Sequence, residues 1–232
     1  MPGVPDLDDG FSFDDFRLSL AANDLTVTSL LSPSTFNCGS GAAAVSIRIS
    51  NLSANSFSNV PVAYRVDNGA VVNAVVPSVP ATSTVDFVFP VPADLSAFKA
   101  YEIDAWVQLP ADSYSVNDSI NNQLVYNSPV VNSYPYLERF ENNNGNYFTT
   151  GTYSSWSWGS TDANSRLVLT TAANGNRAWF TRLAGSYKNN EQSYLYSPCF
   201  NLSSLTNPVL SFARNVQQED GLDFHTIEYT TD

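Results

Sequence analysis

The sequence is poor in the residues that carry most enzyme chemistry. Its 232 residues include one His, one Met, two Cys and two Lys, and only 14% are charged. The lone histidine, His225, excludes a His-rich metal centre and leaves one candidate for a His-dependent triad. Ten basic residues against twenty-two acidic ones, a net charge of −12, exclude the concentrated positive field that nucleic-acid binding requires. Long apolar runs are missing as well. The most apolar region, residues 71–91, is interrupted by Pro77, Pro80, Asp86 and Pro90 and cannot span a bilayer as a helix. Residues 1–9 are acidic and Pro-rich and lack the basic and apolar regions of a signal peptide, so an export signal would have to lie elsewhere.

What is there points to β-structure. At 43% hydrophobic and 13% aromatic, the chain is too apolar for a disordered tail. Its polar residues are largely Ser, Thr and Asn, which offer the backbone local hydrogen bonds that compete with helix. Val, Thr, Tyr and Phe favour pleated strands, and thirteen Pro punctuate them. The expectation is an all-β protein: an Ig-like β-sandwich followed by a truncated jelly-roll β-sandwich.

Alternation places the strands. Residues 10–20 read as one isolated strand with a phase slip at Asp14-Asp15. Residues 25–30, 44–50, 60–66, 71–76, 84–89, 101–107 and 124–126 then give seven strands in about 105 residues, the rhythm of an immunoglobulin-like sandwich. Asp67-Asn68-Gly69 is a hairpin signal, because positive φ costs little at such residues. After a linker at 133–135, strands are expected at 167–170, 177–180, 193–197, 209–212 and 224–229. The domains are therefore 1–22, a final strand of a preceding jelly roll; 23–132, the Ig-like sandwich; and 133–232, a jelly roll incomplete at its C-terminal end. Cys38 and Cys199 fall in different domains on this division. The expectation is two separate thiols, or pairing with residues outside the sequence, because a bridge needs Cα atoms within about 7 Å.

The segments 23–30, Cys38-Gly39, 45–51, 60–66, 93–96 and 101–106 resemble the CARDB-type Ig-like modules of secreted Bacteroidetes proteins. Phe140-Glu141, 155–159, Ala178-Trp179, 187–191, 193–198 and 208–212 resemble the MAM-like or cleaved-adhesin-like jelly rolls of the same proteins, and 13–18 is similar to the last strand of such a jelly roll. The resemblance implies a modular adhesin-like protein, secreted or on the cell surface, exported by the type IX system. It also implies that strand 10–20 can complete a jelly roll in a neighbouring copy of the chain.

The candidate sites follow. No Gly-x-Ser-x-Gly elbow surrounds a serine, His225 alternates on an expected strand, and Glu219, Asp220, Asp223 and Glu228 read as a polar loop and strand end; no catalytic residue is expected. The resemblance implies calcium between Glu141, on the first strand of its jelly roll, and a last-strand Asp pair such as Asp14 and Asp15, which here belongs to the preceding jelly roll, so the site is split by the chain ends. No other cofactor is expected. Trp156, Trp158, Trp179, Tyr153 and Tyr187 can stack on a sugar ring; Trp156 and Trp158 share strand parity, which suits a core pair or a platform. Asp118-Ser119-Ile120 matches the Asp-Ser/Thr-aliphatic pattern glycosylated in Bacteroidetes, making Ser119 a modification candidate, while Asn51, Asn117 and Asn201 form Asn-x-Ser sequons of little meaning in a bacterium. The function expected is non-catalytic adhesion, recognition or spacing, with a glycan or a surface protein as ligand and no nucleic acid or membrane insertion. The alternatives are accessory domains of a secreted peptidase or glycoside hydrolase, or a structural repeat of a surface filament. Residues 1–130 hold 4 basic and 13 acidic residues and residues 131–232 hold 6 and 9, so the more neutral second half is where a ligand is expected.

Overall fold

Alternating apolar residues in the first half make short strands with one face for a core and one for solvent. The computed structural model describes residues 14–15, 18, 22–110, 112–160, 172–183, 187–216, 219 and 221–230. In chain order the strands are β1 (Leu25–Ser32), β2 (Phe36–Cys38), β3 (Ala42–Ala43), β4 (Ser46–Asn51), β5 (Phe57–Val66), β6 (Val72–Val79), β7 (Thr84–Val88), β8 (Ala93–Asp94), β9 (Ala100–Val107), β10 (Ser119–Ser128), β11 (Val130–Val131), β12 (Phe148–Thr152), β13 (Trp156–Ser160), β14 (Arg177–Thr181), β15 (Gln192–Tyr196) and β16 (Cys199–Phe200), with one 3-10 turn at Ser115–Asn117. The fold is all-β.

The chain divides into two compact units. The first comprises Gly41–Leu95, Ala100–Tyr126 and the described residues up to Thr35. It is a sandwich of a three-stranded sheet, β1-β4-β7, and a sheet in which β10, β9, β5 and β6 are successive neighbours, an Ig-like arrangement of three strands against four. One face of each sheet meets in a single core. Leu25, Val45, Ile47 and Ile49 come from the first sheet side, and Val60, Val62, Tyr64, Ile103, Ala105 and Val125 from the second. Tyr64 is fully buried, and its hydroxyl donates to Val91 O at 2.9 Å, so its one polar atom is satisfied. Asn51, the first of the sequon asparagines, is buried too. Its amide nitrogen donates to Asn55 O and Pro80 O, and its oxygen accepts from Ser53 N, which ties the β4–β5 turn to the end of β6.

The second unit comprises Phe36–Ser40, Ser96–Lys99 and the described residues from Asn127 onward. From Val130 onward its described strands form three two-stranded sheets: β11 parallel to β16, β12 antiparallel to β15, and β13 antiparallel to β14. Phe36, Phe148 and Tyr196 stack in one cluster, with ring centroids 4.3 to 5.8 Å apart.

Three expectations are corrected. Cys38 and Cys199 are not separate thiols: they form a disulfide with Cα atoms 5.8 Å apart. The reason is topological. β2 belongs to the second unit, not to the sandwich that surrounds it in sequence, and lies beside the last residues of β10, where Gly39 N donates to Ser128 O at 2.8 Å. β11 continues from β10 and pairs with β16 through Val130 and Cys199. Residues 209–212 and 224–229 are not strands; they have no regular structure, and Val209, Phe224 and Tyr229 are 89%, 84% and 92% exposed. Alternation supplies a suitable pleat, but a strand also needs a neighbour for its N–H and C=O groups, and none reaches these segments among the described residues. Residues 148–152, not expected as a strand, form β12. Strand 167–170 and most of 10–20 lie outside the described residues.

Candidate functional site

The sequence-selected aromatic residues gather in the second unit around the β13–β14 hairpin. Trp156 and Trp158 lie on one face of β13, and Trp158 is directly opposite Trp179 of β14. All three are half-buried. The Trp158 indole N–H donates to Phe140 O at 2.8 Å and that of Trp179 to Asn144 O at 3.2 Å, so the 140–147 loop is strapped to the hairpin by two indoles. Phe140 packs edge-on against Tyr147, whose hydroxyl burial pushes its pKa up to about 12. The Arg177 guanidinium lies 5.0 Å from the Trp158 ring centroid. The Trp158–Trp179 pair thus holds a loop in place.

Glu141 belongs to the same node. Its carboxylate accepts the backbone N–H groups of Asn176 at 3.0 Å and Arg177 at 2.9 Å, bonds that hold its pKa below the usual carboxylate range. Gly175 makes this approach possible: it sits at φ +79°, and a Cβ there would fall 2.2 Å from the Glu141 carboxyl carbon. A carboxylate filled by amide donors suits a turn cap and not a cation. Asp14 and Asp15 are exposed, and no group of three or more His, Cys, Asp or Glu side chains fit to hold a metal occurs among the described residues.

Tyr153 is different. It lies 57% exposed at the turn between β12 and β13, with φ +59°, a backbone region unfavourable for a bulky side chain. With Ser154, Ser155, Ser157, Arg182 and Lys188 it lines a hollow of about 300 Å³. Lys188 Nζ lies 5.2 Å from the Tyr153 ring centroid, and Arg182 also has positive φ, +73°. Below, Glu191 Oε1 accepts from Ser155 N and Oγ and from Ser193 Oγ, fixing the serine-rich floor. The Ser154 hydroxyl is buried with no hydrogen-bond partner. Tyr187, next to Lys188 in sequence, donates its hydroxyl to the Asp223 carboxylate, which raises the tyrosine pKa and lowers that of Asp223. Of the residues picked from sequence, Trp158, Trp179 and Glu141 therefore share one structural node, and Tyr153 lines a hollow. Lys188 and Arg182 were missed, because their neighbours come from distant segments.

Elsewhere, His225 is exposed and faces Arg214. Asp220 lies outside the described residues. Asn117 donates to Asp24 Oδ1, and Asn201 bonds Asn132 and Ser203, so the remaining sequon amides serve local structure. Ser119 opens β10, opposite Trp106 of β9, and its hydroxyl accepts from Asn121 Nδ2 at 3.1 Å. It lines a larger hollow, about 420 Å³, with Arg65, Trp106, Val107, Asp118 and Asn121. One sequence signal pointed there: in 101–107, Glu102, Asp104 and Trp106 occupy the solvent-side parity.

The fold and these hollows define an all-β protein of two units, the first an Ig-like sandwich. No protein-family model and no curated protein matches the sequence. Among solved structures, the CARDB domain of a Pyrococcus furiosus protein is similar to this chain, as a solution structure at 18% identity and TM-score 0.38, over 47% of this chain and 97% of that one. The same domain in a crystal structure with di-metal ions gives 19% identity and TM-score 0.40, over 50% of this chain and 99% of that one. A domain of a protein assigned to the cell surface of Methanosarcina acetivorans gives 20% identity and TM-score 0.39, over 46% of this chain and 92% of that one.

Proposed function

We propose that this chain is a non-catalytic extracellular module for recognition and spacing, part of a secreted or surface-attached protein. The observation that carries the reading is the Cys38–Cys199 disulfide, because such bonds persist in oxidising compartments and are rare in the cytosol. A surface low in charge and rich in Ser, Thr and Asn accords with it. On this reading the first unit spaces, and the second recognises a ligand at the hollow beside Tyr153, where an exposed ring, a lysine and serine hydroxyls combine the apolar and polar groups of a sugar-binding cleft.

The test is twofold. Protease treatment of intact producing cells is expected to release peptides of this chain joined through Cys38 and Cys199 until a reductant is added; recovery of the protein only from the cytosol, with both thiols free, refutes the location. On a glycan array, Tyr153→Ala is expected to lose signals that the native chain gives, and an unchanged array pattern refutes recognition at that hollow.

A further inference from the structure

The first unit carries a hollow of its own on the sheet face turned away from the core. In β9 the residues Tyr101, Ile103, Ala105 and Val107 are buried in the sandwich, so Glu102, Asp104 and Trp106 point outward. Across the sheet, Ala63 of β5, Trp106 of β9 and Ser119 of β10 are register partners in one row, and Arg65 of β5 stands opposite Asp104 of β9 in the next. The wall is a bulge. The β9–β10 register passes from Ile120↔Ala105 to Gln123↔Ile103, one residue more on β10 than on β9, and Asn122 there has φ +53°.

Asp104 locks this geometry. Its Oδ2 accepts from Arg65 Nε at 2.8 Å, and its Oδ1 accepts from Asn122 N at 2.8 Å, so one nearly buried carboxylate holds both the guanidinium and the bulge. Arg65 Cζ stands 5.9 Å from the Trp106 ring centroid. The remaining wall is Asp118, whose Oδ1 has no hydrogen-bond partner, and the exposed Asn121. The hollow, about 420 Å³, is shallow and broadly open to solvent.

The chemistry selects the ligand. Asp118 and Asp104 disfavour an anion, and Arg65 disfavours a cation. An indole beside donors and acceptors of both kinds suits a ring with an apolar face and a rim of hydroxyls, since each hydroxyl both donates and accepts. We propose that this outer face of the first unit binds a neutral saccharide, with one pyranose ring laid on Trp106 and its hydroxyls met by Arg65, Asn121 and Asp118. The first unit is then a binding module and not only a spacer, a conclusion independent of the Tyr153 hollow.

The test uses the intact chain on an array of neutral and acidic glycans, followed by calorimetric titration with the strongest neutral oligosaccharide. The expected result is binding to neutral glycans that falls at least tenfold in Trp106→Ala and severalfold in Asn121→Ala. Asn121 is exposed, and its replacement leaves the sandwich core untouched, so an unaltered thermal transition in that variant separates lost contact from lost fold. Binding confined to acidic glycans, no neutral glycan bound at millimolar concentration, or full affinity in both first-unit variants overturns the proposal. Loss in Tyr153→Ala alone would support the second-unit site and refute this one.

Discussion

Asp118 shows how one side chain tunes the first unit to pH. Its carboxyl is desolvated, with Asp112 and then Asp24 adding negative potential, and together they raise its pKa to about 6. An unfolded aspartate titrates near 3.9. Between those values the folded chain binds the extra proton, so this group's contribution to stability is fully present below about pH 4 and is lost as pH rises through about 6. The side chain is partly open to water, which screens the penalty to about 1 kcal/mol. Asp118→Asn is therefore expected to raise the melting temperature of the first unit at pH 7.5 and to leave it nearly unchanged at pH 4. Calorimetry at the two pH values checks this; an equal shift at both would mean that packing, not charge, sets the effect. Glu141 shows the opposite case, a carboxylate stabilised in its charged form by the backbone of the turn it caps.

At the scale of the element, the β5–β6 hairpin was legible in detail. Alternation marked both strands, and Asp67-Asn68 marked the turn: both have positive φ, 50° and 56°, and Gly69 N donates to Val66 O at 2.8 Å. Gly69 is not the left-handed residue; its role is room, since a Cβ there would lie 2.9 Å from Val66 O. Asn68→Ala should cost about 1 kcal/mol, because alanine lacks the asparagine's tolerance of that conformation; Asn68→Gly should cost little, and the two melting temperatures decide the point. The segments at 209–212 and 224–229 alternate just as well and yet form no strand. Alternation reports which way side chains face, whereas a ladder depends on a partner that no local pattern encodes. For the same reason the hollow around Trp106 was half legible. The outward parity of Trp106 is in the sequence, but Arg65 reaches Asp104 across 39 residues, and the bulge at Asn122 exists only in the pairing.

For the molecule as a whole, the decisive feature is that sequence neighbours and structural neighbours part company at residues 36–40 and 96–99, which belong to the second unit. A linker at 133–135 suggested two beads on a string; the disulfide shows that the second unit draws one half of its bridge from 161 residues upstream. Reduction, or Cys38→Ser, is expected to destabilise the second unit by roughly 2–5 kcal/mol. Calorimetry should show a lowered transition for that unit and an unmoved one for the first, and a thermogram indifferent to full reduction would contradict it. The bond also constrains descent. A genetic exchange cutting at the obvious joint would deliver Cys199 without Cys38, leaving an unpaired thiol ready to couple with any passing one. Recombination can shuffle this protein only by moving the stretch from residue 38 to residue 199 as a single cassette.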